Sequence, residues 1–223
     1  MEDEVVGPLG WQSFSVDQMR NQRAQQGTDF VEVMAEPSFR MGLLNAPVGD
    51  SMAPTTHDDN VIYHVVAGTA QLSVGGVDFS VEAGSTFFVR REVEHRFHSV
   101  TSDLDAVVVF AQLPSAAGDP EVVAFAMEDM VAARDRQGTV YTPLLDTSTM
   151  TLGMYLLPKG GGDNAHAHAF DELKIVVTGG GRLDIGPRGT EVRPGSIIFI
   201  EDTLEHRFRR VSDDLAVLLI WAP

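Results

Sequence analysis

The chain has 223 residues, 43% hydrophobic and 22% charged, which suits a globular protein with room for one large or two small domains. It contains no cysteine, which excludes disulfides, thiolate metal sites and a cysteine nucleophile. The formal net charge of −16 repels phosphate backbones and argues against nucleic-acid binding. No apolar run reaches the ~20 residues that span a bilayer, and the acidic start MEDEVVGPLGWQ lacks a secretion signal. The expectation is a cytoplasmic protein with no membrane partner.

In chain order, the first predicted element is a helix over Val16–Gln26, capped by Ser15 and stopped by Gly27. Short β-like runs follow: VIYHVVAG, AQLSVGG, VDFSVEAG, STFFV and DAVVVF. Leu113–Pro120, LPSAAGDP, reads as a linker of turn residues. A second helix is predicted over Met127–Gln137, stopped by Gly138. The last runs are LKIVVTGG, RLDIG, TEVRPG, SIIFI and LAVLLIW.

These elements repeat. EHRF occurs at Glu94–Phe97 and again at Glu205–Phe208, an offset of 111 residues. The same offset carries Phe14 onto Phe125, Gly42 onto Gly153, Pro47 onto Pro158, Gly68 onto Gly179 and Gly84–Ser85 onto Gly195–Ser196. A constant offset through so many turn residues indicates a duplicated domain. The predicted division is residues 1–112 and 113–223, each an all-β unit with an N-terminal helix, built as a sandwich or small barrel.

The second copy carries the chemistry. His166 and His168 are two apart and share a face of a strand. Glu172 follows four residues later, and His206 lies eleven residues after Gly195. Three imidazoles and a carboxylate suit a divalent metal with open coordination positions. The spacing HxHxxxExxxxxxG, met by His166, His168, Glu172 and Gly179, resembles the first motif of the cupin family. Gly195 and His206 resemble the second, although Glu201 and Thr203 stand where the family usually has Pro and Gly. The resemblance covers both halves. It implies two tandem jelly-roll barrels, with His166, His168, Glu172 and His206 holding one divalent metal per chain. Fe or Mn is favoured, with Zn or Ni as the other candidates.

In the first copy the corresponding residues are Thr55, His57, Val61 and His95. Two of the four ligands, including the carboxylate, are missing, so this unit is expected to be metal-free and chiefly structural. In both copies of EHRF the His is expected to face inward and its neighbours outward.

Alternation from Glu172 sends Lys174 inward, where Tyr63 stands in the first copy. Lys174 is the candidate catalytic residue: it could bind an anionic substrate or exchange a proton, unless it snorkels to solvent. Phe170, Tyr155, Phe199 and Phe208 are candidate apolar walls, and Asp171 is expected to face away. The resemblance implies a metal-dependent enzyme acting on a small organic substrate, with oxygen-dependent, dioxygenase-like chemistry favoured. The alternatives are a redox-neutral Lewis-acid isomerase, cyclase or lyase, and a non-catalytic binder. The chain is expected to be a monomer with pseudo-two-fold barrels, or a homodimer.

Overall fold

The computed structural model describes residues 10–111, 118–137 and 140–222, with 133–137 as backbone only. Both helices form where the sequence places them, α1 at Val16–Gln26 and α2 at Met127–Gln137. Gly27, at φ 66°, ends α1 with its N–H donating to the Arg23 carbonyl at 3.0 Å, as a left-handed cap does. Gly138 and most of the predicted linker lie outside the described residues. No helix among the described residues is long and apolar enough to cross a membrane.

All other elements are strands: β1 (Trp11–Ser15), β2 (Phe30–Ala35), β3 (Phe39–Ala46), β4 (Asn60–Val74), β5 (Val77–Glu82), β6 (Thr86–Val89) and β7 (His95–Ala111) come first. Then come β8 (Val122–Phe125), β9 (Tyr141–Asp146), β10 (Thr151–Leu157), β11 (Asp171–Ile185), β12 (Arg188–Val192), β13 (Ser196–Ile200) and β14 (His206–Ala222). They form two seven-stranded antiparallel assemblies. One runs β2-β3-β7-β4-β6-β8 with β5 on β4, and the other runs β1-β13-β11-β14-β10-β9 with β12 on β11. The jelly-roll, all-β class expected from the sequence is the observed one.

The two compact units do not divide at one point in the chain. Among the described residues, those within 17–129 and 147–149 form one unit, and 10–16 with those within 130–146 and 150–222 form the other. The difference from a cut after 112 comes from two short strands. β1, before the first repeat's helix, pairs with β13, while β8, its counterpart before α2, pairs with β6. Edge pairing satisfies the backbone groups of a short strand wherever a partner edge is available, and nothing in WQSFS specifies which edge.

Several short runs merge into long, bent strands. VIYHVVAG and AQLSVGG are one strand, β4, and LKIVVTGG and RLDIG are one strand, β11. Register breaks between Val65 and Gln71, and between Val176 and Arg182, mark the bends. Gly179 sits at the second bend with φ 73°, and a Cβ there would come 2.4 Å from the Asp214 carbonyl oxygen. Only glycine meets both conditions.

The bends change which residues face the barrel interior. In β11 the core takes Val176 and then Leu183 and Ile185; in β14 it takes Phe208 and then Val211, Leu215, Val217, Leu219 and Trp221. The change from even to odd numbers in β14 coincides with Arg210 at φ 53°. The first unit repeats this at Ser99, φ 51°, between inward Phe97 and inward Val100. Each unit thereby closes over its own core.

Candidate metal centre

Three imidazoles converge in the unit that contains the second motif. His166 and His168 lie between β10 and β11 and not on a strand as expected, but His166 forms an isolated antiparallel bridge with His206 at the start of β14, each backbone N–H donating to the other's carbonyl at 3.1 and 2.9 Å. Side chains of such a pair leave the sheet on one face, and the two ring centroids are 4.5 Å apart. His168, two residues on, joins the same face, with its ring 5.1 Å from that of His166.

The chain holds His168 through a strained turn. Its carbonyl accepts the Thr203 N–H at 2.6 Å, and Thr203 has φ 61°. The counterpart Glu92, φ 62°, donates to the His57 carbonyl at 2.8 Å. The position where the family usually has Gly therefore keeps its left-handed backbone without Gly, and the turn survives the departure.

Carbonyls set the ring tautomers. His166 Nδ1 lies 2.8 Å from the Asn164 oxygen and His206 Nδ1 lies 2.9 Å from the Leu204 oxygen. A carbonyl only accepts, so each Nδ1 carries the hydrogen and the Nε2 of the neutral ring keeps its lone pair for a ligand. For His168, burial lowers the pKa, and Lys174 and the other two imidazoles add to this against the opposing pull of Glu172. The ligand nitrogens of His166, His168 and His206 all lie within 4.8 Å of one another.

Glu172 stands beside this cluster, 1% exposed. Its Oε2 is 3.1 Å from His206 Nε2 and 3.8 Å from His168 Nε2. Two lone pairs facing at such a distance repel unless a proton or cation lies between them. Both Glu172 oxygens and His206 Nε2 are buried without a hydrogen-bond partner among the described residues. Oε1 faces Lys174, but Oε2 and His206 Nε2 are left to each other, and orphaned buried polar atoms of this kind call for an ion or a ligand.

Lys174 is inward, 2% exposed, and its Nζ lies 2.7 Å from Glu172 Oε1 in an ion pair not angled as a hydrogen bond. It does not snorkel to solvent. Burial alone would raise the Glu172 pKa, but Lys174 and His206 outweigh it and hold the carboxyl below its ordinary range.

A cavity of about 380 Å³ opens over these groups. It is lined by His166, His168, Glu172 and Lys174, with Tyr141, Tyr155, Phe170 and Trp221 as aromatic walls. The Phe170 ring lies nearly parallel to that of His168, with centroids 5.7 Å apart. Tyr155 donates its hydroxyl to Asp163 at 3.0 Å. Trp221 Nε1–H is buried with no partner among the described residues, so it is a donor a bound molecule can satisfy.

The predicted site residues thus come together, but not all predicted walls do. Phe170 and Tyr155 line the cavity, whereas Phe199 and Phe208 are buried outside it. Asp171 faces away and accepts the Asp202 N–H at 3.0 Å. His95 and His206 are buried while Glu94 and Glu205 are exposed, the inward–outward pattern expected of EHRF. Sequence reasoning missed Trp221 and Tyr141. Trp221 ends the run LAVLLIWA, which is buried on both faces, so no alternation distinguishes cavity from core. The one available signal was register with Glu172, its cross-strand partner.

Comparison with known proteins identifies the fold and the family. The cupin domain family matches the chain twice, over residues 42–111 and 153–223. Uncharacterized protein SCO3923 of Streptomyces coelicolor is 32% identical over 100 residues, 45% of this chain and 95% of that protein. Among solved structures, salicylate 1,2-dioxygenase from Pseudaminobacter salicylatoxidans superposes with a TM-score of 0.82 at 10% identity, covering 95% of this chain and 84% of that one. A cupin 2 conserved barrel domain protein from Leptotrichia buccalis superposes with a TM-score of 0.72 at 12% identity, covering 99% and 100%. At such identities the likeness is one of fold. With both repeats matched and both barrels formed, the chain belongs to the cupin family as a two-domain member.

Proposed function

We propose that the second barrel is a metal-dependent catalytic site for a small, flat organic substrate, with oxygen-dependent chemistry. His166, His168 and His206 would hold the metal through Nε2, and Glu172 through Oε2. The observation that carries this reading is the convergence of three imidazoles beside a buried carboxylate whose Oε2, like His206 Nε2, has no hydrogen-bond partner among the described residues. A redox-active divalent ion bound there supplies electron transfer and Lewis acidity; Fe and Mn fit this use, and the donor set also accepts Zn and Ni.

The chain's own residues prepare the site. The Asn164 and Leu204 carbonyls keep the rings of His166 and His206 oriented, with Nε2 free. Lys174 keeps Glu172 ionised and occupies one of its oxygens, leaving the other toward the histidines. Phe170, Trp221, Tyr141 and Tyr155 admit a planar molecule and limit water. Salicylate 1,2-dioxygenase, seen with gentisate, shares this fold. A hydroxylated aromatic acid is therefore the substrate class to test first. Lys174 supports an anion only in part, because its ammonium already faces Glu172.

The experiment is metal analysis of protein purified without a metal-binding tag, for wild type, Glu172→Ala and His206→Ala, followed by oxygen-uptake assays with hydroxybenzoates. About one Fe or Mn per chain, lost in both variants, with substrate-dependent oxygen uptake, is expected. One Zn or Ni with no oxygen uptake would replace the oxygenase by a redox-neutral Lewis-acid enzyme. No metal after reconstitution would overturn the enzyme reading in favour of a binding protein.

A further inference from the structure

The first barrel closes its centre by a different device. Tyr63 stands at the position of Lys174, and Val61 at that of Glu172. The Tyr63 hydroxyl lies 2.8 Å from His95 Nε2 and 3.2 Å from His57 Nε2. Proton positions follow from the neighbours. His95 Nδ1 lies 2.8 Å from the Val93 carbonyl, so it carries the hydrogen. Burial lowers the His95 pKa against the opposing Val93 bond, so the ring is neutral and Nε2 accepts the Tyr63 O–H. The Tyr63 oxygen then accepts from His57 Nε2–H. Burial first, then His95 and Arg40, also lower the His57 pKa. In that neutral tautomer His57 Nδ1 is an acceptor, and among the described residues it has no partner.

The hydroxyl therefore occupies the space between the imidazoles and engages the nitrogens that would bind a metal. A cavity of about 320 Å³ remains beside it, at the small end of ligand sites. Its apolar walls are Phe30, Leu44, Met52, Phe97, Val108 and Phe110. Phe30 and Phe110 meet edge to face at 6.3 Å, and the His57 ring packs against Phe110 at 5.1 Å. The nearby cations do not offer an anion site. Arg40, over the Phe110 ring, is paired with Glu32 and Asp59. Arg96 is among the residues that line the cavity, but it lies between inward His95 and Phe97, and its charge acts on the exposed Asp78.

The geometry points to a metal-independent binding site in the first barrel for a neutral, single-ring aromatic molecule with one hydrogen-bond donor, a phenol, received by His57 Nδ1. Flat walls accept the ring, and His57 Nδ1, left without a partner among the described residues, receives the donor. This site is separate from the catalytic reading of the second barrel and does not depend on it.

The test is calorimetric titration of 4-methylphenol into the full-length, chelator-treated chain. Saturable binding is expected, weakened about tenfold for 4-methylanisole, which has no O–H. The same loss is expected in His57→Phe. Ala53→Trp, at an exposed position that lines the cavity, should abolish binding without touching the core; it decides the matter if His57→Phe does not fold. The pair His166→Ala and His168→Ala should bind as wild type does. Absence of saturable binding, binding that survives Ala53→Trp, or loss only in the second-barrel variants would overturn the proposal. Equal affinity for 4-methylanisole, or tighter binding of benzoate, would overturn the assigned ligand class.

Discussion

Lys174 and Glu172, two residues apart on one strand, form a buried ion pair with Nζ 2.7 Å from Oε1. Both are at most 2% exposed. The pair makes a permanently charged carboxylate tolerable beside three imidazoles. Removing one partner of such a pair leaves an uncompensated charge, which typically costs about 3–5 kcal/mol.

Lys174→Met should therefore destabilise the metal-free protein at pH 7 by roughly 3 kcal/mol. The Glu172 pKa is lowered in the folded state. The pair's contribution is thus fully present above the ordinary value of 4.5 and is lost as pH falls through the lower folded value. The gap between wild type and variant should shrink over that acid window, and Glu172→Gln in the variant background should restore most of the stability. Urea denaturation against pH checks this; a gap that does not change with pH would show that lost packing is responsible.

His64 makes stability depend on pH in a different range. It is 2% exposed, its Nδ1 lies 2.9 Å from Thr86 Oγ1, and burial lowers its pKa from 6.5 to about 4. The unfolded chain then takes up the proton first as pH falls. Stability should be full above 6.5, decline between 6.5 and about 4, and level off below, by on the order of 3 kcal/mol. His64→Gln should flatten that part of the profile.

Thr203 should be replaceable with gain. A β-branched residue at φ 61° carries about 1–3 kcal/mol of strain, and glycine returns part of this as unfolded-state entropy. Thr203→Gly, which keeps the N–H donated to His168, is expected to raise stability by about 1 kcal/mol. Glu92→Gly, at the equivalent turn, should gain less because glutamate is not β-branched. Thermal melts of the two variants test the ranking.

Gly153 gives Tyr141 its place at the cavity. A Cβ on Gly153 would lie 2.3 Å from a Tyr141 ring carbon. Gly153→Ala should displace that ring and cost about 1–3 kcal/mol. Tyr141→Ala in the same chain should relieve the clash, so the double variant should be more stable than the sum of the two single effects implies. Simple additivity would mean that the ring is not held over Gly153.

Much of this protein was legible in its sequence. The duplication and the two helices follow from residue patterns, and the jelly-roll class and the four residues around the candidate centre from the resemblance to the cupin motifs. Turn residues recurred at one offset, helix stops were explicit, and His166, His168 and Glu172 lie close together in the chain. The inward turn of Lys174 followed from alternation with Glu172, because no bend separates them. Where a bend intervenes, alternation fails: Arg210 reverses which side of β14 faces inward, so the place of Trp221 on the cavity could not be counted from His206.

What the tertiary structure alone decided depends on contacts between segments far apart in the chain. Pairing with a distant edge assigned β1 to the unit of the second repeat and β8 to that of the first. The Lys174 ammonium found Glu172 and not solvent because the barrel buries both groups. The Tyr63 hydroxyl came between His57 and His95 because two strands place them within hydrogen-bond reach. Periodicity and spacing describe a strand from its own residues. Edge choice, the burial of a charge and the partner of a hydroxyl are set by the other strands that close around it.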